Sequence, residues 1–244
     1  MFQFKQFSIQ QDKTAMKVGT DGVLLGAWAP VNHNPFSVLD VGAGTGIIAL
    51  MLAQRTHAQQ IDALEIDEEA YEQAVENFEN SPWGDRLFCF HAGLDEFIEE
   101  SEDDPSDSEL AQQYDLIVSN PPFYAEDYKT ENEQRDLARF QDAMPFDELV
   151  EAANLLLSEN GIFALIIPFK EEKKFIALAK ESELYPIKIT RVKGTPKSEI
   201  KRSLLAFSRN EIPEIEIDEL IIEIERHVYT PEYIELTKAF YLKM

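Results

Sequence analysis

A short strand that runs directly into three closely spaced glycines constrains the fold of this 244-residue chain more than any other feature. Residues 38–41 (VLDV) have the pattern of a buried strand, and Gly42, Gly44 and Gly46 follow at once. Residues 47–54 then have a helical pattern. Glycines let the backbone approach a ligand closely, and the first turn of a helix offers unpaired N–H groups. The stretch therefore predicts a βαβ unit that binds a nucleotide-like cofactor.

An acid follows the next predicted strand where a nucleotide-binding fold needs one. Residues 60–64 (QIDAL) read as a strand that ends at Glu65, about 20 residues past Gly46, where such folds hold a ribose hydroxyl. Asp67 is a neighbouring alternative for this role. The glycines are spaced G-x-G-x-G, whereas dinucleotide enzymes usually have G-x-G-x-x-G, so the loop does not favour a dinucleotide.

A rigid polar tetrapeptide ends a second buried strand. Residues 114–119 (YDLIVS) read as a strand, and Asn120, Pro121, Pro122 and Phe123 follow. Proline fixes φ and restricts the residue before it, so this rim presents an amide oxygen, a main-chain carbonyl and an aromatic ring in fixed positions. The two carbonyls can accept the hydrogens of a planar amino group while the ring stacks on it. Taken alone, the tetrapeptide could equally be a Pro-Pro turn with a core Phe.

Four segments resemble a known family. The glycine turn is similar to motif I of the S-adenosylmethionine-dependent methyltransferases, and NPPF is similar to their amino-methylating motif IV. Residues 16–28 (MKVGTDGVLLGAW) and the ending, with residues 229–233 (YTPEY) and 240–242 (FYL), resemble the bacterial tRNA1(Val) N6-adenine methyltransferase family. The resemblance implies an α/β, Rossmann-like class I methyltransferase fold. Its sheet would be mostly parallel and seven-stranded, with one antiparallel strand and helices on both faces.

The resemblance also implies a chemistry. The cofactor would be S-adenosylmethionine, and the reaction would methylate the exocyclic N6 amine of an adenine in tRNA, next to the anticodon of tRNA1(Val). The catalytic residues would be Asn120, Pro121, Pro122 and Phe123. The cofactor-binding residues would be Lys17, Thr20, Asp40, Gly42, Gly44, Gly46, Glu65 and Asp95.

Two of these assignments depart from the family pattern or have an alternative. The acid that usually follows the third strand is replaced by Gly93, so Asp95 would contact the cofactor's adenine from one turn later. Thr20 and Asp21 could instead cap the helix that follows them.

The charge is unevenly distributed. A formal net charge of −24 argues against a polyanion as partner of the molecule as a whole. Residues 188–202 nevertheless contain six bases and one acid, and phosphates sense charge within a Debye length of about 8–10 Å. A local patch can therefore hold RNA, although a solvated hairpin is the alternative. The RNA-binding residues that we predict are Arg135, Arg139, Lys193, Lys197, Lys201 and Arg202.

Arg135 and Arg139 follow the tetrapeptide, where the family tends to have Arg-x-x-Ala-Arg-His and this chain has Phe140 in place of His. Surface arginines without a role are the alternative interpretation of both.

Composition and residue spacing indicate the domain organisation and the expected location of the protein. We expect a leader over residues 1–35 that lines the active site, a methyltransferase domain over 36–244 and an acidic, mobile insert at 101–113. Cys89 is the single cysteine and lies in an apolar run, so we expect an inert core thiol, and neither it nor the histidines have metal-ligand spacing. Without a membrane-length apolar run or a targeting leader, we expect a cytoplasmic protein. The resemblance implies that its partner is tRNA, and we expect a monomer.

Three alternatives remain from the sequence. Glutamine N5 methyltransferases of release factors share the NPP(F/Y) motif but carry an added N-terminal helical domain. Guanine-N2 methyltransferases of ribosomal RNA are a second alternative, and many of them have a duplicated domain that this chain lacks. An RNA-binding module that kept the fold without catalysis is the third alternative, and cofactor binding would distinguish it.

Overall fold

A computed structural model describes residues 1–14, 16–102, 113–122 and 144–243 of the chain. The strands are β1 (Phe2–Gln3), β2 (Ser8–Ile9), β3 (Ser37–Val41), β4 (Gln60–Glu65), β5 (Leu87–His91), β6 (Tyr114–Ser119), β7 (Leu157–Pro168), β8 (Tyr185–Lys193), β9 (Ile200–Ser208), β10 (Glu216–Ile221), β11 (Glu223–Glu225) and β12 (Val228–Tyr229). The helices are α1 (Thr20–Trp28), α2 (Ile47–Arg55), α3 (Glu68–Glu79), α4 (Leu94–Glu102), α5 (Phe146–Leu156), α6 (Glu172–Glu181) and α7 (Pro231–Thr237). A short 3-10 turn (Phe169–Glu171) leads into α6.

One large sheet organises the fold. Its strand order is β10-β8-β9-β7-β6-β3-β4-β5. β9 runs antiparallel to both of its neighbours, and the other neighbouring strands are parallel. The mostly parallel sheet with one reversed strand, predicted from the sequence, is confirmed. β8 and β9 form the predicted antiparallel hairpin.

The sheet has one strand more than the seven expected. β10 pairs in parallel with the outer edge of β8, with Glu216 opposite Lys188. Its sequence, EIDELI, is rich in acids, and among its side chains Leu220 is the buried one. The backbone ladder to β8 and the burial of Leu220 hold the strand, and Glu216 and Glu219 add ion pairs to Lys188 and Lys193. With one buried side chain among six, hydrophobic periodicity does not mark the strand strongly.

Helices cover both faces of the sheet, and each face has its own hydrophobic cluster. On one face, α1 is buried from Gly22 to Trp28, so it is apolar on all sides, as expected of a helix enclosed by other elements. It packs closely on α2, because a Cβ at Gly26 would lie 2.8 Å from Sδ of Met51. On the other face, α5 and α6 pack around aromatic side chains such as Phe163 and Phe175.

The N-terminal leader forms part of the main core. β1 and β2 pair in an antiparallel hairpin, and Phe4, Phe7 and Ile9 are buried in the same cluster as α1 and α2. Of the expected acidic insert at 101–113, residues 103–112 lie outside the described residues. Residues 101 and 102 form the end of α4.

The described helices include none that is long and apolar enough to cross a membrane.

Substituting Gly26 by alanine tests the contact between α1 and α2. Alanine favours helix by about 1 kcal/mol over glycine. Here its methyl group would overlap Met51, at 2.9 Å from Cβ, and overpacking typically costs about 1–3 kcal/mol. We expect Gly26→Ala to lower the midpoint of urea unfolding. Gly194→Ala is the control, since its nearest neighbour atom would be 3.7 Å away. A raised midpoint for Gly26→Ala would contradict this packing.

Candidate active site

The carboxyl ends of β3, β4 and β6 bring the two sequence motifs together. Val41, the last residue of β3, is paired with Leu64 on one side and with Ser119 on the other. The Ser119 hydroxyl donates a 2.9 Å hydrogen bond to the Val41 carbonyl. Neighbouring strands lie about 4.8 Å apart, so the glycine turn and Asn120 begin side by side at one edge of the sheet. This is the edge where ligands bind in open α/β sheets.

The glycine turn is held by hydrogen bonds from its own N–H groups. The N–H groups of Gly42 and Ala43 both donate to the Leu64 carbonyl, at 3.0 and 2.9 Å. The N–H of Gly44 donates to Oε2 of Glu65 at 2.7 Å. Gly42, Gly44 and Gly46 have φ values of 75°, 57° and 75°, a left-handed conformation that side-chain-bearing residues rarely adopt.

The three glycines differ in what lies beside them. A Cβ built at Gly42 or at Gly44 meets no described atom within 4 Å, so both face open space that a ligand can enter. A Cβ at Gly46 would lie 2.4 Å from Cε1 of Phe78. Gly42 and Gly44 therefore suit cofactor contact, whereas Gly46 is required for packing against α3.

Glu65 is placed to serve both the loop and a ligand. Its side chain is 9% exposed, and its oxygens accept hydrogen bonds from the N–H groups of Gly44 and of Asp67 (2.9 Å). Burial raises the pKa of Glu65, and the two N–H groups oppose this. A carboxylate has about four acceptor sites, so each oxygen can also accept a ribose hydroxyl. The neighbouring alternative, Asp67, instead caps α3 by accepting from the N–H of Ala70 at 2.8 Å.

Asp40 caps α2 from β3, the strand that precedes this helix in the chain. Gly46, at the N-cap of α2, has no side chain, and Oδ2 of Asp40 accepts the N–H of Ala49 in the first turn at 3.0 Å. Asp40 is fully buried, and its Oδ1 has no hydrogen-bond partner among the described residues. Burial raises the pKa of Asp40 to about 7, and the charge of Glu65 adds to this, while the Ala49 N–H opposes it. The unpartnered oxygen fits a donor such as the amino group at the methionine end of the cofactor.

Two amide side chains of α3, which the sequence analysis did not single out, hold the leader beside the glycine turn. The amide of Asn77 exchanges two hydrogen bonds with the backbone of Gln10 and donates a third, of 2.9 Å, to the Thr45 carbonyl. Oε1 of Gln73 accepts from the N–H groups of Asp12 and Lys13. Both side chains are buried on the apolar face of α3. In the sequence, the signal that could have identified them is the presence of two amides at core-facing positions of an amphipathic helix.

The start of α1 lies beside the glycine turn. A Cβ at Gly22 would lie 3.3 Å from Ile47, the first residue of α2, while Lys17 and Thr20 are exposed just before it. The N-cap residue is Gly19, and no side chain caps the helix. The capping interpretation of Thr20 and Asp21 is therefore wrong. Asp21 instead accepts a 2.8 Å hydrogen bond from the guanidinium of Arg202.

The rigid rim follows β6 as predicted. Asn120 is half-buried, and Pro121 is buried behind it. Phe123, Arg135 and Arg139 lie outside the described residues.

Asp95 reaches the place left vacant by Gly93. Asp95 is exposed in the first turn of α4, and its Oδ1 lies 2.7 Å from the position that a Cβ at 93 would take. Gly93 itself donates its N–H to Glu96. The geometry is compatible with the predicted role of Asp95 toward the cofactor's adenine, which stays a prediction.

Cys89 is a half-buried free thiol, and burial raises its pKa to about 12, so it is protonated at neutral pH. Across the described ranges, no group of three or more histidine, cysteine or acidic side chains could hold a metal ion.

Comparison with known proteins identifies the family to which the chain belongs. A family model described as "Methyltransferase small domain" matches residues 24–181. The chain is 84% identical to the tRNA1(Val) (adenine(37)-N6)-methyltransferase of Flavobacterium johnsoniae over the full length of both. It is 44% identical to the protein of that name from Bacteroides fragilis, over all of this chain and 98% of the relative. A solved structure, a predicted O-methyltransferase from Agrobacterium tumefaciens, superimposes with a TM-score of 0.66 at 18% identity, covering 90% of this chain and 96% of that one.

The sheet order, the glycine turn and the rim at Asn120 define a class I methyltransferase that takes S-adenosylmethionine as methyl donor. The cofactor fits the residues present, since Gly42 and Gly44 leave open space and Asp40 has a buried oxygen without a partner among the described residues. The chain belongs to the tRNA1(Val) (adenine(37)-N6)-methyltransferase family, which confirms the resemblance.

The raised pKa of Asp40 predicts a specific pH dependence of stability. Because the pKa is about 7 in the fold and about 4 in the unfolded chain, the native state binds more protons between these values. The contribution of Asp40 is therefore complete below about pH 4 and is lost as pH rises through 7. We expect Asp40→Asn, whose amide oxygen can still accept the Ala49 N–H, to flatten the fall in stability between pH 5 and 8 by a few kcal/mol.

The measurement is the urea midpoint of the cofactor-free protein across this range. Asp95→Asn, at an exposed site, is the control and should keep the wild-type profile. Identical profiles for Asp40→Asn and wild type would show that Asp40 ionises normally.

A second pair of variants tests the link between leader and glycine turn. Asn77→Ala and Gln73→Ala both release the leader, so we expect trypsin to cut faster after Lys13 and Lys17 in both. Asn77 alone of the two bonds Thr45 in the turn, and losing a buried hydrogen bond costs about 1–3 kcal/mol. Cofactor affinity by isothermal titration should fall about tenfold or more in Asn77→Ala and little in Gln73→Ala. Equal affinities of the two variants would argue against the link.

Proposed function

We propose that this protein methylates the exocyclic N6 amine of an adenine in tRNA, at the position given in the names of its relatives, adenine 37 of tRNA1(Val). Family membership over the whole chain supports the reaction and the substrate. The observation that carries the mechanism is the placement of Asn120 directly beside the glycine turn, fixed by the hydrogen bond from Ser119 to the Val41 carbonyl.

The residues around the glycine turn would hold the cofactor. Glu65 would accept ribose hydroxyls, Asp40 would face the amino group of the methionine end, and Gly42 and Gly44 would allow close approach. When bound, S-adenosylmethionine supplies an electrophilic methyl group on a sulfonium. Lys17 and Thr20, at the start of α1, would complete the entrance.

The rim would orient the acceptor amine. The adenine amine is a poor nucleophile because its lone pair is delocalised into the ring. The side-chain oxygen of Asn120 and the carbonyl of Pro121 can each accept one amino hydrogen, which favours a more pyramidal nitrogen with its lone pair directed at the donor. Pro121 and Pro122 keep these oxygens in place because proline restricts the backbone. Positioning and electrostatic alignment therefore carry the catalysis.

No strong base is required before transfer, because the amine becomes more acidic once it is methylated. A base in a loop next to an anticodon is single-stranded and can be turned outward at lower cost than a paired one. Stacking of the adenine on Phe123, the monomeric state, residence in the cytoplasm and independence of metal stay predictions.

Asn120→Ala tests the role of the rim. Removing one of two acceptors should reduce methyl transfer about 100-fold or more, since preorganised hydrogen bonds at a reacting group have effects of this size. Cofactor affinity by titration should stay within about threefold of wild type, because Asn120 faces the acceptor. Asn210→Ala, at an exposed site, is the matched control.

The assay is incubation of bulk tRNA with radiolabelled cofactor, followed by nucleoside mass spectrometry. N6-methyladenosine is the expected product. Full activity of Asn120→Ala would refute the role in orienting the amine. Methylguanosine, or label transferred to protein glutamine instead, would refute the proposed reaction.

A further inference from the structure

The bases predicted to bind RNA are largely engaged with acids of the same molecule. Across the β8–β10 edge, Lys193 pairs with Glu219 at 2.9 Å, just as Lys188 pairs with Glu216 at 2.8 Å. Arg202 is bonded to Asp21. A phosphate that approached these bases would have to displace a carboxylate and would be repelled by it. The basic run in the sequence is therefore mostly neutralised in the fold.

The same holds for the other bases of that run, with one exception. Arg191 makes hydrogen bonds of 2.7 to 3.2 Å with the buried carboxylate of Glu172. Lys201 lies 3.7 Å from Glu199 with both side chains exposed, which is a weak pair. Lys197 is exposed in the turn after β8 and forms no ion pair within the described part of the chain.

Three lysines that follow the carboxyl end of β7 differ from these bases because they have no ion-pair partner among the described residues. Lys170 lies in the 3-10 turn after β7, and Lys173 and Lys174 lie in the first turn of α6. All three are exposed, and none forms an ion pair with any of the described acids. Cations in the first turn of a helix oppose its dipole, at about 0.3–1 kcal/mol each, so local helix stability does not account for Lys173 and Lys174.

The strand order brings these lysines close to the rim. β7 is the neighbour of β6, and Ser119 pairs with Leu165. Lys170 is five residues beyond Leu165, three in the strand to Pro168 and two in the 3-10 turn, which corresponds to about 14 Å of chain past the end of β6. A loop whose adenine reaches Asn120 would therefore have its flanking phosphates within reach of these flexible side chains.

We propose that Lys170, Lys173 and Lys174 form a phosphate-binding surface that holds the tRNA backbone while the target adenine lies at Asn120. This rests on the proposed function, because it assumes that the acceptor base enters at the rim. On a molecule with a net charge of −24, exposed lysines that form no ion pair with a described acid can supply the local attraction that a polyanion requires. The sequence analysis missed them because the run KEEKK has a net charge of only one.

The test compares two triple variants that remove the same charge. The first is K170Q/K173Q/K174Q. The control is K180Q/K188Q/K238Q, which combines Lys180, exposed at the far end of α6, with two lysines that are paired with acids, Lys188 with Glu216 and Lys238 with Glu235. Binding to tRNA is measured between 50 and 200 mM salt, together with cofactor affinity, thermal stability and methylation kinetics of the full chain.

We expect the first variant to bind tRNA about ten- to hundredfold more weakly, with the slope of log K against log salt reduced by about 2–3, since each phosphate contact contributes about 0.9. The KM for tRNA should rise while cofactor affinity and kcat at saturating tRNA stay near wild type. The control should keep most of its affinity and slope.

Equal losses in both triple variants would mean that only net charge matters, and an unchanged slope in the first would place the phosphates elsewhere; either result overturns the proposal. If the wild-type protein methylates tRNA and the first variant binds and methylates tRNA equally well, the proposed surface is refuted but the proposed function is not. Wild-type protein that neither binds nor methylates tRNA refutes the proposed function as well.

Discussion

The rest of the site depends on how β4 holds the glycine turn. Three residues in the left-handed conformation would have many alternatives in a free chain, and glycine loses more backbone entropy on folding than any other residue. The Leu64 carbonyl and the Glu65 carboxylate accept three successive N–H groups of the turn, which selects one arrangement. Glu65 thus shapes the loop with one set of lone pairs and keeps others for a ligand. A buried acid is kept next to the cofactor site for both reasons.

The other parts of the site take their positions from this turn. The turn leads into α2, and the N–H of Ala49 in its first turn is accepted by Asp40 rather than by a side chain at the N-cap. Asn77 connects the Thr45 carbonyl to the leader, and Ser119 fixes the rim to the end of β3. The links made by Asn77 and Ser119 are hydrogen bonds between segments far apart in the sequence. The cofactor side and the acceptor side of the site are therefore parts of one connected framework.

Much of the fold could be predicted because its signals are local. The strand–glycine–helix pattern and the strand before Asn120 each occupy a few consecutive residues. What the sequence did not show are pairings between distant residues. From the sequence, Asp21 had helix capping as an alternative role and Arg202 was predicted to contact RNA. In the structure their side chains form an ion pair with each other. Likewise, charge counted along the chain does not reveal which bases already have acids beside them in space.

The acidic strand β10 also determines where the sheet stops. An edge strand presents unpaired backbone groups that can recruit strands from other molecules. Here the last strand carries Glu216, Asp218 and Glu219, which are all exposed. A strand added by another copy of this protein would place its own carboxylates against these, without lysines to match them, because those of β8 are already used. A second β10 is therefore disfavoured as a partner at this edge, because like charges directly opposite each other destabilise a pair of strands.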